Sequence, residues 1–330
     1  MNHFNNIEYI KSGSNGHTLK GNIQINNCEC NYAIKIVTFH KYKIYKDYND
    51  KNRPENAEIL MLKLLSYFVI NNITPHIILP ITTFNTKFDI LYMLKNKINI
   101  DNIKLDKAIE SYENNILYDN VSILISEWAN GGDLSDYIKN NYKNMKLKDW
   151  RIIFFQIIST LAIIFDKYPS FRHNDLKANN ILVYKLNKNK NKNNKFIYQI
   201  NNSKYIVPDI GIQIKIWDFD FACIPGIVDN YKVSYLKNKI NEYNIQPERN
   251  QYYDLHFFFC TLTKKGFLPG FFRSKYINKK VKDFVKRMVP DKYNNPNTMN
   301  RGRLLLNDEY MTPEYILNND SFFDKLLIKN

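Results

Sequence analysis

The chain has 330 residues, 44% of them hydrophobic, with 47 basic and 32 acidic side chains and a net charge of +15. That length and apolar share are enough for a large core and suit one two-lobed unit or two small domains. No basic, apolar, small-residue leader opens the sequence, so secretion is not expected. The longest apolar stretch, residues 152–165, is broken by Gln156, Ser159 and Thr160 and reads as a buried helix, not a membrane span. Cys28, Cys30, Cys223 and Cys260 form no disulfide or zinc framework, which suggests a reducing, intracellular, cytoplasmic setting. The excess lysine is spread among abundant Asn, Ile, Tyr and Phe without a basic stripe. Nucleic acid is therefore not expected as the main partner.

Residues 4–37 read as short strands and turns, the third strand being the alternating run 31–37. A helix begins near Pro54, with Ile59, Leu62 and Leu65 on its apolar face and Glu58 beside them. Another strand starts at residues 77–78, and residues 95–120 look like a polar insertion with at most a short helix. A strand at 121–126 runs into Glu127-Trp128-Ala129, then Gly131-Gly132-Asp133. Helices follow at 134–142 and 147–168. The Lys/Asn run 185–195 reads as a solvated loop within an insertion of about 185–209. Residues 253–262 are apolar nearly all round, a helix buried on most sides, and further helices are expected at 281–288 and 312–327. Early strands followed by later helices describe an α+β protein with two lobes.

The most informative stretch is Arg172-His173-Asn174-Asp175-Leu176-Lys177-Ala178-Asn179-Asn180. Asp175 and Asn180 are five apart with Lys177 between them. A second carboxylate, Asp218, ends a short hydrophobic strand 38 residues after Asn180. These groups suit a metal-bound phosphate: Asp175 would orient a hydroxyl, Lys177 would neutralise the phosphoryl group, and Asn180 and Asp218 would hold magnesium. His173 reads as a satisfied core histidine, and Asp254 as a hydrogen-bonder of the loop backbone. Cys223 reads as a small buried thiol.

Earlier in the chain, Gly13 and Gly16 could let backbone N–H groups approach phosphates, although a plain hairpin turn explains them equally well. Lys35 follows Ala33-Ile34 on a strand, 22 residues after Gly13. Its ammonium would contact nucleotide phosphates, held by Glu58 or, one turn earlier, Glu55. Residues 127–129 would offer backbone groups to an adenine edge, with Ser126 leaving room behind the base. Asp133 would meet a ribose hydroxyl or simply cap a helix.

Taken in order, these residues resemble the eukaryotic-type protein kinase superfamily, and in detail the Ser/Thr kinases of large DNA viruses, over roughly residues 7–327. The resemblance implies a bilobal fold: a small β-rich N-lobe with one main helix (about 1–126), a hinge at 127–129, and a larger, mostly helical C-lobe (130–330), all one kinase domain. It implies that Lys35 and Glu58 are the strand–helix ion pair and Asp175 the catalytic Asp. Lys177 would be the Ser/Thr-type lysine, and Asn180 and Asp218 the metal ligands. Gly13, Gly16, Ala33, Lys35, Glu127, Ala129, Asp133 and Leu182 would line the ATP site, Leu182 as its floor. ATP with magnesium or manganese would be used on protein substrates, acidic ones among them, in a host cytoplasm or a virion.

The chain departs from the pattern at three places. Asn174 replaces the usual Arg before the catalytic Asp, so loop phosphorylation is a less expected switch. Asp220 replaces the glycine after Asp218-Phe219, where an extra carboxylate could alter metal binding. Pro247-Glu248 lies only six residues before Asp254. The rival readings are a pseudokinase scaffold and a choline- or aminoglycoside-type small-molecule kinase. Lys177 and the segment 131–134 argue against the latter.

Overall fold

The computed structural model describes residues 7–12, 16–26, 28–98, 103–186, 194–239 and 241–328. Gly13 lies outside these residues, as does most of the Lys/Asn run. The chain divides into two compact units, Met1–Lys63 with Ile78–Trp128, and Leu64–Ile77 with Ala129–Asn330. The fold is mixed α and β: a five-stranded sheet in the first unit, mostly helices in the second.

Strands β1 (Ile7–Ser12), β2 (Gly16–Ile25), β3 (Cys28–His40), β4 (Pro80–Lys87) and β5 (Leu117–Glu127) form an antiparallel sheet in the order β1-β2-β3-β5-β4. Pro80 can open β4 because that strand lies at the sheet edge, where a missing N–H is tolerated. Period-two alternation assigns the two faces of β3. Ile34 and Ile36 enter the core with Leu19 and Ile123, while Lys35 takes the opposite face.

Helices α2 (Asp89–Ile98) and α3 (Ile103–Glu113) supply Leu91, Leu94, Leu105 and Ile109 to that core. The stretch 95–120 thus includes the short helix considered for it, α3. It holds part of two helices and the start of β5, and its few apolar positions, three or four apart, are diluted by Lys, Asn and Glu. The strand expected from residues 77–78 opens slightly later, as β4 at Pro80, while Ile77 makes an isolated parallel bridge to Ile216.

Helix α1 (Pro54–Ile70) starts with proline, whose missing N–H is harmless in a first turn. The preceding Arg53 is fully buried, stacks 4.4 Å from the Tyr45 ring centre and donates to the His40 carbonyl at 2.6 Å. This ties the start of α1 to the end of β3 and fixes where Glu58 sits.

In the second unit, α4 (Leu134–Asn141) leads to α5 (Leu147–Lys167), whose residues from Ile152 to Phe165 are all buried. Among the described residues no helix is long and apolar enough to cross a membrane. A single 3-10 turn, Ala178–Asn180, runs into β6 (Ile181–Lys185). The hairpin β7 (Lys195–Ile200) and β8 (Ser203–Pro208) follows, and β9 (Ile212–Ile216) then pairs antiparallel with β6.

The Lys/Asn run thus has a strand at each end, β6 before it and β7 after it, and the hairpin fills most of the remainder of 185–209. Tyr198 and Tyr205 of the hairpin are buried against Phe155, and Tyr198 hydrogen-bonds buried His76.

Helices α6 (Tyr231–Lys239), α7 (Tyr253–Leu262) and α8 (Lys279–Met288) come next, then a two-residue-strand hairpin of β10 (Met299–Asn300) and β11 (Arg303–Leu304). Helix α9 covers only Pro313–Asn319 and does not continue to 327. Phe322, Phe323 and Leu326 keep a helix-like spacing but are buried from turns, and Leu327 bridges to Tyr205. Phe284 stacks on Phe322 at 4.4 Å and Phe154 meets Phe259 edge-on at 5.0 Å, giving this unit an aromatic core.

Candidate active site

In the first unit Lys35 Nζ donates to both Glu58 oxygens, at 2.6 and 2.7 Å. Glu58 is 6% exposed, so the pair is largely removed from water and its attraction little screened. Glu55, the other candidate, instead pairs with Arg53 at 3.6 Å.

Gly16 has a structural reason to be glycine, because a Cβ there would lie 2.8 Å from the Ile36 carbonyl oxygen. Ala33 sits two residues before Lys35 on β3, paired with Ser126 and Lys20. The Glu127 carboxylate is engaged, accepting from Leu79 N–H at 2.8 Å.

In the second unit Asp133 caps α4, accepting from Asp136 N–H at 2.9 Å. Gly131 and Gly132 clasp β6: Gly131 N–H donates to the Val183 carbonyl and Val183 N–H to that of Gly132. A Cβ on Gly131 would stand 2.6 Å from Val183 O, and Gly132 has φ 74°. This clasp sets Asp133 directly opposite Leu182. Ala129, also in this unit, is buried.

Asp175 is the centre of the second constellation. Its Oδ2 accepts from Lys177 Nζ at 2.7 Å and from Asn180 Nδ2 at 2.9 Å. The same Asn180 amide group also donates to the Asp175 carbonyl at 2.9 Å. The β6–β9 ladder then brings in Asp218: Ile181 pairs with Ile216, Trp217 N–H donates to the Asn180 carbonyl, and Asp218 is the next residue.

Asp218 holds φ 65°, an uncommon backbone state for a residue with a side chain, and one that concentrates at functional sites. Among the described residues nothing hydrogen-bonds the Asp218 carboxylate or Asn180 Oδ1. These are hard oxygen donors with free lone pairs, the type a magnesium ion accepts alongside phosphate oxygens and water. No group of three His, Cys, Asp or Glu able to cage a metal occurs among the described residues.

Below the loop, Asp254 is fully buried and accepts from His173 N–H at 2.8 Å and Asn174 N–H at 2.9 Å. Burial pushes its carboxyl pKa up, while His173, Arg172 and the two amides pull it down. His173 is buried, its Nε2 3.1 Å from the Trp217 carbonyl and its ring 5.2 Å from Phe219. Cys223 is buried and its thiol is pushed up to about 12, mainly by burial.

Asn174, at φ 61°, turns its side-chain amide to the Phe221 and Gln246 carbonyls. Arg172 reaches the Asn244 and Glu248 carbonyls. Asp220 forms an ion pair through Oδ2 with Lys232 of α6. Its φ is not positive, so the backbone there does not demand glycine.

Sequence reasoning missed Arg303. From β11 its guanidinium donates to Asp175 Oδ1 at 2.5 Å and to the Asn174 carbonyl.

A sequence model described as poxvirus serine/threonine protein kinase matches residues 17–324. The chain belongs to that family. It is 45% identical over 324 residues to a "Putative serine/threonine-protein kinase" of Acanthamoeba polyphaga mimivirus, covering 96% of this chain and 68% of that protein. A second mimivirus protein with the same style of name is 29% identical over 287 residues, 76% of this chain and 70% of its own. "Serine/threonine-protein kinase 2" of Monkeypox virus is 33% identical over 130 residues, 38% of this chain and 26% of its own.

Proposed function

We propose that this kinase transfers the γ-phosphoryl group of ATP to serine or threonine hydroxyls of proteins, with Asp175 as the residue that receives the hydroxyl. The observation that carries this is the convergence of Lys177 and Asn180 on one carboxylate, with Asp218 adjacent on the ladder. Asp175 orients the hydroxyl and takes its proton as the oxygen attacks phosphorus. Lys177, 31% exposed, offsets charge on the phosphoryl oxygens. Lys35, fixed by Glu58, does the same for the remaining phosphates. Asn180 Oδ1 and Asp218 would hold magnesium or manganese, which when bound draws charge from the phosphate oxygens.

The remaining ATP contacts in this reading are Gly13, Gly16, Ala33, the backbone of Glu127 and Ala129, Asp133 and Leu182. One kinase domain would span the chain, with a smaller lobe at about 1–126, a linker at 127–129 and a larger lobe at 130–330. The tie from Asn174 to residues 221 and 246 supports a segment ordered without a phosphate. The viral relatives support action in a host cytoplasm or a virion, on protein substrates that include acidic ones given the +15 charge.

The test is transfer of labelled γ-phosphate, with magnesium or manganese, to basic and acidic carrier proteins. Label should appear on serine or threonine and fall by about 10³-fold in Asp175→Asn. Undiminished transfer by that variant would sink the role of Asp175. Transfer only to small alcohols would move the protein to another phosphotransferase class, and nucleotide binding without transfer would leave a scaffold.

A further inference from the structure

Asp175 Oδ2 is held by Lys177 and Asn180, which lie within five residues of it, but Oδ1 is held from far away. Arg303 stands 128 residues further along the chain, and its Nη2 donates to that oxygen at 2.5 Å. Nη1 donates to the Asn174 carbonyl and lies 3.3 Å from the Tyr253 hydroxyl. The guanidinium carbon sits 4.1 Å from the Phe257 ring centre, and the side chain is only 12% exposed. Every feature here uses the planar fork of arginine: two nitrogens on two different acceptors and a flat face on an aromatic ring. A lysine could satisfy only part of it.

The hairpin that carries Arg303 is itself tightly specified. Asn300 pairs with Arg303 across the two-residue turn Arg301-Gly302, with φ 49° and 90°. Two successive positive φ values make the turn whose twist suits a tight antiparallel hairpin. Gly302 packs so closely on α7 that a Cβ would lie 2.9 Å from Thr261 Cγ2. Asn244 donates to the Leu304 carbonyl at 3.0 Å, and Gln246 to Asn307 Oδ1 at 2.5 Å. The hairpin is thereby stitched to residues 244–246, to which Asn174 is also bonded.

The geometry points to Arg303 as a positioning residue for the catalytic carboxylate. With Oδ2 held by Lys177 and Asn180 and Oδ1 by Arg303, the Asp175 carboxylate cannot turn about its Cβ–Cγ bond. A carboxylate oxygen accepts two hydrogen bonds, so Oδ1 keeps one lone pair for a substrate hydroxyl in a fixed direction. The guanidinium also places a positive charge beside the anion at the point where a proton is to be taken. This inference rests on the assignment of Asp175 as the hydroxyl-orienting residue.

Arg303→Ala, Arg303→Lys and Asp175→Asn would be compared with the unchanged chain in the γ-phosphate assay, with thermal melting alongside. Arg303→Ala should lower kcat by about 10- to 100-fold while KM for ATP stays within about twofold, because the loss is one of aim, not nucleotide binding. Millimolar guanidinium should restore part of kcat in Arg303→Ala and nothing in Asp175→Asn. Arg303→Lys should fall between the two, since charge returns without the fork.

Wild-type kcat in Arg303→Ala with an inactive Asp175→Asn overturns the role of Arg303 and leaves that of Asp175 standing. Full activity in Asp175→Asn overturns the assignment beneath it. Increased kcat in Arg303→Ala overturns the inference by showing a group that blocks the carboxylate. Loss that follows the melting temperature, with no guanidinium rescue and equal loss in Arg303→Lys, overturns it in favour of a purely structural role.

Discussion

Lys35 in the first unit and Asp175 in the second are both charged groups held in place by opposite charge, but the means differ. Lys35 is gripped by the Glu58 carboxylate of α1, 23 residues away. Asp175 is gripped by Lys177, Asn180 and Arg303, and its backbone neighbours hang from Asp254 of α7. The first arrangement joins one strand residue to one helix residue. The second spreads position over several segments of the chain and embeds it in a buried polar network. Changes around Lys35 should therefore cost activity more than stability, while changes beneath Asp175 should cost both heavily.

The largest expected effect comes from Asp254→Ala. It leaves the His173 and Asn174 amides unpaired in a fully buried place, a loss of about 3–5 kcal/mol in unfolding free energy. Urea unfolding should show a lower midpoint, and phosphoryl transfer should fall with it because the loop carrying Asp175 loses its anchor. An unchanged midpoint would remove the distinction drawn between the units.

Lys35→Met tests the other side. Transfer should drop by about 10²-fold through loss of a preorganised positive charge. The urea midpoint should move less than in Asp254→Ala, by an amount equivalent to about 2 kcal/mol, because the Glu58 carboxylate loses a charged partner but the 19% exposure of Lys35 lets water reach the place it leaves. A stability loss as large as that of Asp254→Ala would show that the ion pair is structural and break the comparison from this end.

What was readable in advance follows the same division. Residues 172–182 and 214–218 could be read because short spacing puts Asp175, Lys177 and Asn180 on one loop and Asp218 at a strand end. Lys35 and Glu58 were readable because a β-strand fixes which face a residue takes and a helix start fixes the phase of its apolar stripe. The hydrophobic runs of α5 and α7 likewise announced themselves by burial on all sides. Arg303 could not be found in this way. It sits on a strand of two residues, where no periodicity can develop, and its partner lies 128 positions earlier. Helix α2 was missed, and α3 was readable only as a short helix, for a related reason: two buried leucines in one, and Leu105 and Ile109 in the other, are too few to dominate a lysine-rich local average. The hairpin of β7 and β8 was hidden by the charged run before it, although Tyr198 and Tyr205 alternate inward in register with each other.

A pH titration of stability sharpens the comparison inside the second unit. His76 is buried between the Ile214 carbonyl, 3.0 Å from Nδ1, and the Tyr198 hydroxyl, 2.8 Å from Nε2. Burial holds its pKa down at about 3, against 6.5 when unfolded. Between those values the unfolded chain binds the proton and the folded chain does not. The stability tied to neutral His76 is complete above pH 6.5 and is lost as pH falls toward 3, by about 1.4 kcal/mol per unit. His256, lowered to about 4 by burial, acts in the same direction. Urea midpoints at pH 7.5 and 5.5 should differ in the unchanged chain, and His76→Gln should shrink that difference. An equal difference in the variant would mean that protonation of His76 is not what acid acts on.

The smallest effect separates the units by their thiols. Cys28 and Cys30 are exposed on β3, while Cys223 and Cys260 are buried in the second unit, with pKa values pushed up to about 12 and about 11 by burial. Alkylation requires both access and thiolate, so iodoacetamide near neutral pH should label Cys28 and Cys30 alone in the folded chain. Cys30 is five residues from Lys35 on a strand, an odd offset that places the two side chains on opposite faces, about 17 Å apart along it. Labelling both exposed thiols should therefore leave transfer within about twofold, since neither touches the Lys35–Glu58 pair and surface changes away from such features are mild. Mass spectrometry of the labelled, still active protein checks both halves of the expectation. Label on Cys223 in protein that retains its fold would be the informative exception. That residue is bridged to Arg172 and bonded by the Asn174 amide, so its modification would mean that the loop beneath Asp175 opens in the native state. The network around Asp175 would then be one that yields locally, and the contrast with the Lys35–Glu58 pair of the first unit would be one of degree.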